Sequence, residues 1–504
     1  MSQRLSAAMW TQLMQRSSRP NLSLQSQIRE MMVTAILDGQ LPSGVPLPSS
    51  RDLAEHLGVA RNTVVLAYQQ LAEEGYLISR QRSGHFVNPE MTPGNGAVRR
   101  GPAPPARPPG PDRPVDWAGR LRLEPAAQRS IVKPADWQSY PYPFLYGQLD
   151  ASLFPIADWR EVCMKSLGVL DIREWAPDRI TLDDDSLVQQ IRTRVLPRRG
   201  VWASADELIV TVGAQHALYM LADLLMRENT RVAIEDPGYP DARNIFASRS
   251  SHVVPLAVDA DGLPVDERLA GFDYVYATPS HQCPTGVTMP LARREALLAM
   301  ANDSDLVIIE DDFESENRFN GDPIPALKSL DQNNRVIYVG SLSKSLAPGL
   351  RLGYIVGAPP LIAQLRALRR LMLRHPTAFT QRAFALFLSL GHHDAQLRRL
   401  AMAQRERSAV LLQALAQYAP ACQVTPTSGG GSMWVRLPDG VSAVELAERA
   451  MERGVLIEPG DVFFASDTAP GGYLRLGYQA IEARSIEAGV KELAAALEGL
   501  MPRS

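Results

Sequence analysis

Ser341-Leu-Ser-Lys-Ser-Leu-Ala-Pro-Gly-Leu-Arg-Leu-Gly353 follows directly on the run Arg335-Val-Ile-Tyr-Val339 and Gly340. An apolar run that ends in a polar, serine-rich loop reads as a strand buried on both faces, which delivers its loop to the edge of a sheet. Four runs upstream have the same character: Leu208-Ile-Val-Thr-Val212, Arg231-Val-Ala-Ile-Glu235, Tyr274-Val-Tyr-Ala277 and Leu306-Val-Ile-Ile-Glu310. Helical stretches separate them, so residues 136–504 are expected to be α/β, built on a large, mainly parallel sheet. About 370 residues exceed what one core holds. A smaller C-terminal domain is therefore expected after about Leu390.

The loops at the strand ends carry the chemistry. A lysine whose pKa shifts readily is the usual Schiff-base residue, and Lys344 stands in such a loop; alone, it would read as a surface charge. Ser341 and Ser343 can donate to a phosphate, and Arg351 can pair with one in bidentate fashion. Asp311 closes the run Leu306–Glu310, with Glu310 and Asp312 as competing carboxylates, and ligands of open α/β sheets bind outside the carboxyl ends of strands. Thr211-Val-Gly-Ala-Gln-His-Ala-Leu218 leads from a strand through glycine into a helix. The first N–H groups of such a helix, near Ala214 and Gln215, suit an anion. Asp236-Pro-Gly-Tyr-Pro240 presents the ring of Tyr239, and Ser280-His-Gln-Cys-Pro-Thr-Gly286 is a further strand-end loop. Tyr473-Leu-Arg-Leu-Gly477 places Arg475 on a short strand, able to grip an acid group. A lysine, an acid for a ring nitrogen, a phosphate cup and a stacking ring are what pyridoxal 5'-phosphate (PLP) requires of a protein. PLP is thus the expected cofactor, although each group alone has an ordinary structural reading.

The bulk numbers fit this picture and exclude others. A chain of 504 residues implies several domains. A hydrophobic content of 45% with 21% charged residues is ordinary for a soluble globular protein. The net charge of −3 argues against a protein that coats nucleic acid throughout. Residues 1–88 hold eight Arg, no Lys and six Asp or Glu, which makes that segment +2 and the remainder −5. Cys163, Cys283 and Cys422 have neither metal spacing nor an even framework, and a reducing compartment fits them. No apolar run approaches the roughly 18 residues of a membrane helix, and no export pattern opens the chain. A cytoplasmic location is expected.

The N-terminal segment reads differently. In Leu47-Pro-Ser-Ser-Arg-Asp-Leu-Ala-Glu-His-Leu-Gly-Val-Ala-Arg-Asn-Thr-Val64, with Val65 following, Ser49 or Ser50 can cap a helix that begins near Arg51. Gly58 permits a turn. A second helix follows with Val64, Ala67, Tyr68 and Leu71 on one face. Its polar opening residues, Arg61, Asn62 and Thr63, sit where a recognition helix meets base edges. Gly75 to Val87 reads as two short strands around a Ser-Gly tip, a winged hairpin with Arg80, Arg82, Gly84 and His85 available to the DNA backbone or minor groove. From Gly101 to Pro114, seven of fourteen residues are proline. Residues 89–135 are therefore read as a semi-rigid linker, whose Arg99, Arg100, Arg107 and Arg113 are solvated or touch phosphates. The expected domains are 1–88, a winged helix; 89–135, the linker; and 136–504, the α/β body.

Residues 24–88 resemble the GntR-type winged helix. The resemblance rests on Gln27-Ile-Arg, Gly39-Gln-Leu-Pro-Ser-Gly, Leu47-Pro-Ser-Ser-Arg, Arg61-Asn-Thr-Val, Tyr68-Gln-Gln-Leu-Ala-Glu-Glu-Gly-Tyr-Leu and Ser83-Gly-His-Phe-Val. It marks Arg51, Arg61 and the Gly84 tip as DNA contacts. Residues from about Tyr140 onward resemble fold-type I aminotransferases. Together with the segment Tyr142-Pro-Phe-Leu-Tyr-Gly-Gln-Leu-Asp-Ala-Ser-Leu-Phe-Pro155, nearly the whole chain resembles the MocR/GabR regulators, nearest to members that control taurine or ectoine use. That resemblance implies an internal aldimine on Lys344 and a pyridine-nitrogen contact from Asp311. It implies stacking by Tyr239, and a phosphate site of Ala214, Gln215, Ser341, Ser343 and Arg351. It also implies an effector grip by Arg475, assisted by Arg243, and a head-to-tail homodimer on repeated half-sites of double-stranded DNA. Two positions depart from the pattern. Phe313 stands where the family has a tyrosine, and Cys283 where aminotransferases have an asparagine; both changes remove a polar contact to the ring oxygen.

The leading expectation is a PLP-dependent transcription regulator, not an enzyme, that senses an amine-bearing carboxylate or sulfonate through an external aldimine. The alternatives are a working aminotransferase with an appended DNA-binding domain, and a fold that binds no cofactor and serves only for dimerisation.

Overall fold

The computed structural model describes residues 7–17, 22–44, 46–80, 84–91, 115–314, 324–427, 429–466 and 470–501. The chain divides into two compact units, Met1–Arg120 and Leu121–Ser504. Arg82 at the wing tip and Arg99, Arg100, Arg107 and Arg113 of the proline-rich stretch lie outside the described residues.

The first unit contains α1 (Ala7–Ser17), α2 (Leu24–Leu37), α3 (Ser50–Leu57), α4 (Arg61–Glu73), β1 (Leu77–Arg80) and β2 (Gly84–Val87). The Ser49 hydroxyl accepts the Asp52 N–H at 3.2 Å and caps α3. Gly58 ends that helix in the left-handed region at φ +64°. On α4 the buried residues are Val64, Ala67, Tyr68 and Leu71, the face expected from their spacing. β1 and β2 pair antiparallel, with Arg80 opposite Gly84. Helix α1 was not anticipated. Its Trp10 is buried with Ile28, Met32, Leu53, Val64 and Leu71 in one core.

In the second unit, β3 (Tyr142–Pro143) precedes β4 (Leu208–Thr211), β5 (Arg231–Asp236), β6 (His252–Ala257), β7 (Tyr274–Ala277), β8 (Val307–Asp312), β9 (Val336–Ser341) and β10 (Gly353–Val356). A seven-stranded sheet has the order β4-β10-β9-β8-β7-β5-β6. Its neighbours are parallel except β10, which runs antiparallel to both β4 and β9. The reversal follows from the loop 342–352, too short for a crossover that would bring a strand back parallel. All five strands read from apolar runs are present, and β8 extends through Asp311 and Asp312. Successive side chains of a strand face opposite ways. Ile209 accordingly packs with Leu218 and Leu221 of the helix Gly213–Leu225, while Val210 packs with Phe384 and Phe387 of the helix Ala378–Ser389.

A second core belongs to the C-terminal part. It is built on β11 (Gln423–Val424), β12 (Ser432–Arg436), β14 (Glu458–Pro459) and β15 (Tyr473–Gly477), in the order β11-β12-β15-β14. β13 (Val455–Leu456) pairs in parallel with β3 and so ties residues 142–143 to this part. Phe144 is buried with Leu446, Leu474, Leu476 and Val490.

The end of the stretch read as linker is corrected. Arg129 donates to the carbonyl of Phe464 at 2.5 Å, and Asn244 donates to the Arg129 carbonyl at 2.8 Å. Lys133 pairs with Glu458 at 3.4 Å. Residues 129–133 are thus bound to the second unit by backbone and ionic partners, which their composition did not announce.

Candidate functional site

The carboxyl ends of β5, β7, β8 and β9 and the start of the helix Gly213–Leu225 surround a cavity of ≈ 360 Å³. Lys344, Asp311, Tyr239, Ala214, Gln215, Ser341, Ser343, Arg351 and Arg475 all line it. Lys133, Tyr146, Asp241, Cys283 and Phe313 line it as well. Among the described residues, no Cys, His, Asp and Glu cluster has the makings of a metal site.

The alternation of β8 separates its three acids. Glu310 accepts the N–H groups of Leu327 and Lys328, each at 2.8 Å. Asp312 accepts from Arg199 Nε at 2.8 Å and from the Tyr338 hydroxyl at 2.7 Å. Both are structural, and Asp311 is the acid that faces the cavity. Its Oδ2 accepts the Tyr276 hydroxyl at 2.8 Å, while its buried Oδ1 has no hydrogen-bond partner. Burial pushes the Asp311 carboxyl up to about 6, against the Tyr276 hydrogen bond and the charge of Lys344.

Lys344 is half-buried, and its amine donates to the Tyr146 hydroxyl at 2.7 Å. Its Nζ lies 4.1 Å from the centre of the Phe313 ring and 4.8 Å from that of Tyr146. Burial lowers its pKa, opposed by Glu314 and Asp311 and reinforced by Arg475. Burial drives the Cys283 thiol up to about 12, so it is neutral beside the lysine.

At the anion end, Gly213 has φ +77°, and a Cβ there would stand 3.1 Å from Arg351 Nη2. A Cβ on Gly353 would stand 2.8 Å from the Gly213 carbonyl carbon. The cup therefore closes only around two glycines. Arg351 itself adopts φ +51°, a costly conformation for a residue with a side chain. Ser343 lines the cavity as expected from its place in the loop, and it is tied into that loop. Its hydroxyl donates to the Leu352 carbonyl at 3.1 Å and accepts the Leu352 N–H at 2.5 Å, and so orders the loop. Gln215 and the Tyr239 hydroxyl converge on Asp241 Oδ2, at 3.1 and 3.2 Å.

Arg475 occupies the far end. Its Nε donates to Glu458 Oε2 at 2.7 Å, and each side chain is only 3% exposed. The two face one another across β14 and β15. The guanidinium lies 4.4 Å above the Tyr146 ring and 4.6 Å from that of Phe463, and its buried Nη2 has no hydrogen-bond partner. Arg243 does not line the cavity. It donates to the carbonyls of Phe464 and Val462, at 2.8 and 3.1 Å, and so clamps the loop behind Phe463. Sequence reasoning missed Tyr146, Lys133, Asp241 and Glu458. Tyr146 stood inside the segment 142–155 already singled out; the others left no signal beyond their charge.

In the first unit, Arg51 on α3 and Arg61 and Asn62 on α4 are exposed, and Thr63 is half-buried. Gly84 has φ +90° with open space around it. His85 on the second wing strand is half-buried. Its ring lies edge-on to Tyr68 at 5.1 Å, and Nδ1 is 3.0 Å from the Ser79 hydroxyl, so it braces the wing against α4.

The body's side chains fit PLP. The orphaned Asp311 oxygen matches a protonated ring nitrogen, the glycine-lined cup with Arg351 matches a phosphate, and Lys344 offers a buried amine.

Comparison with known proteins agrees with the two-unit division. Residues 185–493 match the family Aminotransferase class I and II, and residues 24–87 match Bacterial regulatory proteins, gntR family. The chain is 42% identical to the HTH-type transcriptional regulator TauR of Rhodobacter capsulatus, over 94% of this chain and 96% of the relative. It is 30% identical to the probable rhizopine catabolism regulatory protein MocR of Rhizobium meliloti, over 95% of each. Among solved structures it resembles LysN, the alpha-aminoadipate aminotransferase of Thermus thermophilus, which was solved with N-(5'-phosphopyridoxyl)-L-leucine. That likeness has a TM-score of 0.68 at 28% identity, over 77% of this chain and 99% of the other.

Proposed function

The chain belongs to the HTH-type transcriptional regulators that join a gntR-family head to an aminotransferase class I and II domain, and from that premise we propose that its body binds PLP and senses an amine-bearing carboxylate or sulfonate. One observation carries the proposal. The buried Lys344 amine shares a cavity with the unpartnered oxygen of Asp311, the glycine–arginine cup and the Arg475 guanidinium.

When bound, PLP supplies an aldehyde carbon on which a ligand's primary amine exchanges with that of Lys344. The residues do the rest. Burial favours the neutral, nucleophilic form of Lys344. Tyr146 holds its nitrogen in place, Asp311 holds a ring proton, and Arg475 orients the ligand's acid. Tyr146 and Phe313 pack against the Lys344 amine, so a change in the position of that amine would alter their packing. Signalling of this kind needs different affinities in two states rather than turnover. The DNA contacts are assigned to Arg51, Arg61, Asn62, Thr63 and Gly84 of the head. The working form is a head-to-tail homodimer on double-stranded DNA in the cytoplasm.

A second reading, a working aminotransferase with an appended head, draws support from Tyr146. Its hydroxyl places a phenol 2.7 Å from Lys344, where Phe313 offers none. Visible absorbance of the purified protein, titrated with amino acids and amino sulfonates, separates the readings. A band that responds to one compound and is absent in Lys344→Ala supports sensing. Keto product accumulating over many turnovers would transfer the function to the enzyme reading, and no band with added PLP would defeat both.

A further inference from the structure

The guanidinium expected to receive the effector's acid is already paired. Glu458 reaches Arg475 from the neighbouring strand at 2.7 Å, and its other oxygen stands 3.4 Å from Lys133 Nζ. Two cations thus share one carboxylate. Lys133 is fixed independently, because its ammonium also donates to the Tyr146 carbonyl. Both Lys133 and Arg475 line the cavity. Arg475 keeps one buried nitrogen, Nη2, without a partner. Glu458 engages Nε, so this free nitrogen can donate to an anion without displacing Glu458.

Charge decides what such a subsite takes. Arg475 and Glu458 alone form a neutral pair, which orients a donor but has little net attraction for an anion. Lys133 leaves the group with one net positive charge, and an unbalanced buried charge is costly in a low-dielectric site. A single negative charge on the ligand balances it.

We propose that Lys133 is a specificity-determining residue of the effector site: it supplies the charge that balances a monoanionic acid, while Glu458 neutralises and orients Arg475. The assignment rests on the reading that the cavity binds an amine-bearing acid. It also explains why residues 129–133 are bound into the body. A residue from the chain entering this unit is part of the ligand's surroundings.

The test uses the full chain loaded with PLP, with loading verified by absorbance. The probes are 3-aminopropanoate, 2-aminoethanesulfonate, 2-aminoethylphosphonate and the acid-free butylamine; the readout is the concentration of each that half-saturates the spectral change. Lys133→Gln is expected to weaken the two monoanionic acids about tenfold and butylamine by less than twofold, with Lys133→Arg restoring the acids. Glu458→Gln, which leaves two positive charges, is expected to improve the phosphonate relative to the carboxylate. This second arm carries the test if Lys133→Gln does not fold. Equal weakening of acids and butylamine, or no weakening of either, would overturn the assignment while leaving the sensing reading intact. A wild-type spectrum that responds to no amine would overturn the sensing reading and this assignment with it.

Discussion

Asp311 is a strand-end acid held in an apolar setting. Burial raises its pKa to about 6, and one oxygen has no partner. A carboxyl whose folded pKa exceeds its unfolded value contributes stability below the unfolded pKa near 4, and that stability is lost as pH rises through about 6. Glu235, which burial raises to about 7, titrates in the same direction, so the informative quantity is a difference between variants. Without PLP at pH 8, Asp311→Asn is expected to be more stable than wild type by on the order of 2 kcal/mol. The same variant is expected to bind PLP at least about tenfold more weakly, since the amide cannot balance a ring cation. Thermal unfolding with and without PLP checks both effects, and unchanged PLP affinity would contradict the role given to Asp311. Lys344, Asp311 and Arg351 were legible in the sequence because each ends or follows an apolar run. Arg243 misled because its partners are backbone carbonyls, and such partners leave no mark in side-chain order.

At the scale of elements, apolar runs and helical spacing located five strands of the large sheet and the two helices that precede the wing. These patterns are set by burial on one or both faces, which sequence records directly. The pairing of β3 with β13 joins residues more than three hundred positions apart, and no local pattern encodes it. The same holds for Glu458 opposite Arg475 across β14 and β15. The junction of β4, the helix Gly213–Leu225 and β10 brings Gly213, Gly353 and the Arg351 guanidinium into close contact. Gly213→Ala places a Cβ against the Arg351 guanidinium in a left-handed conformation. The expected cost is about 1–2 kcal/mol of stability, with PLP affinity reduced more than ligand-free stability accounts for. PLP titration alongside chemical denaturation separates the two; a stability loss with unchanged PLP affinity would remove Gly213 from the cup.

At the scale of the molecule, a gntR-family head and an aminotransferase class I and II body occupy one chain, joined through a proline-rich segment. Both halves were legible because each carries an ordered series of local motifs. Less legible was where the body begins, since residues 129–133 are held by partners hundreds of positions away. A sensor of the proposed kind couples Lys344 in the body to Arg51 and Arg61 in the head. The direct measurement selects DNA fragments that the full chain binds. It then compares affinity for them with and without the amine that shifts the absorbance band, in wild type and in Lys344→Ala. The amine is expected to change wild-type DNA affinity by about tenfold, roughly 1.4 kcal/mol of coupling. Lys344→Ala is expected to bind the DNA still but to ignore the amine. A wild-type protein whose spectrum responds to the amine while its DNA affinity and footprint stay unchanged would contradict the central claim.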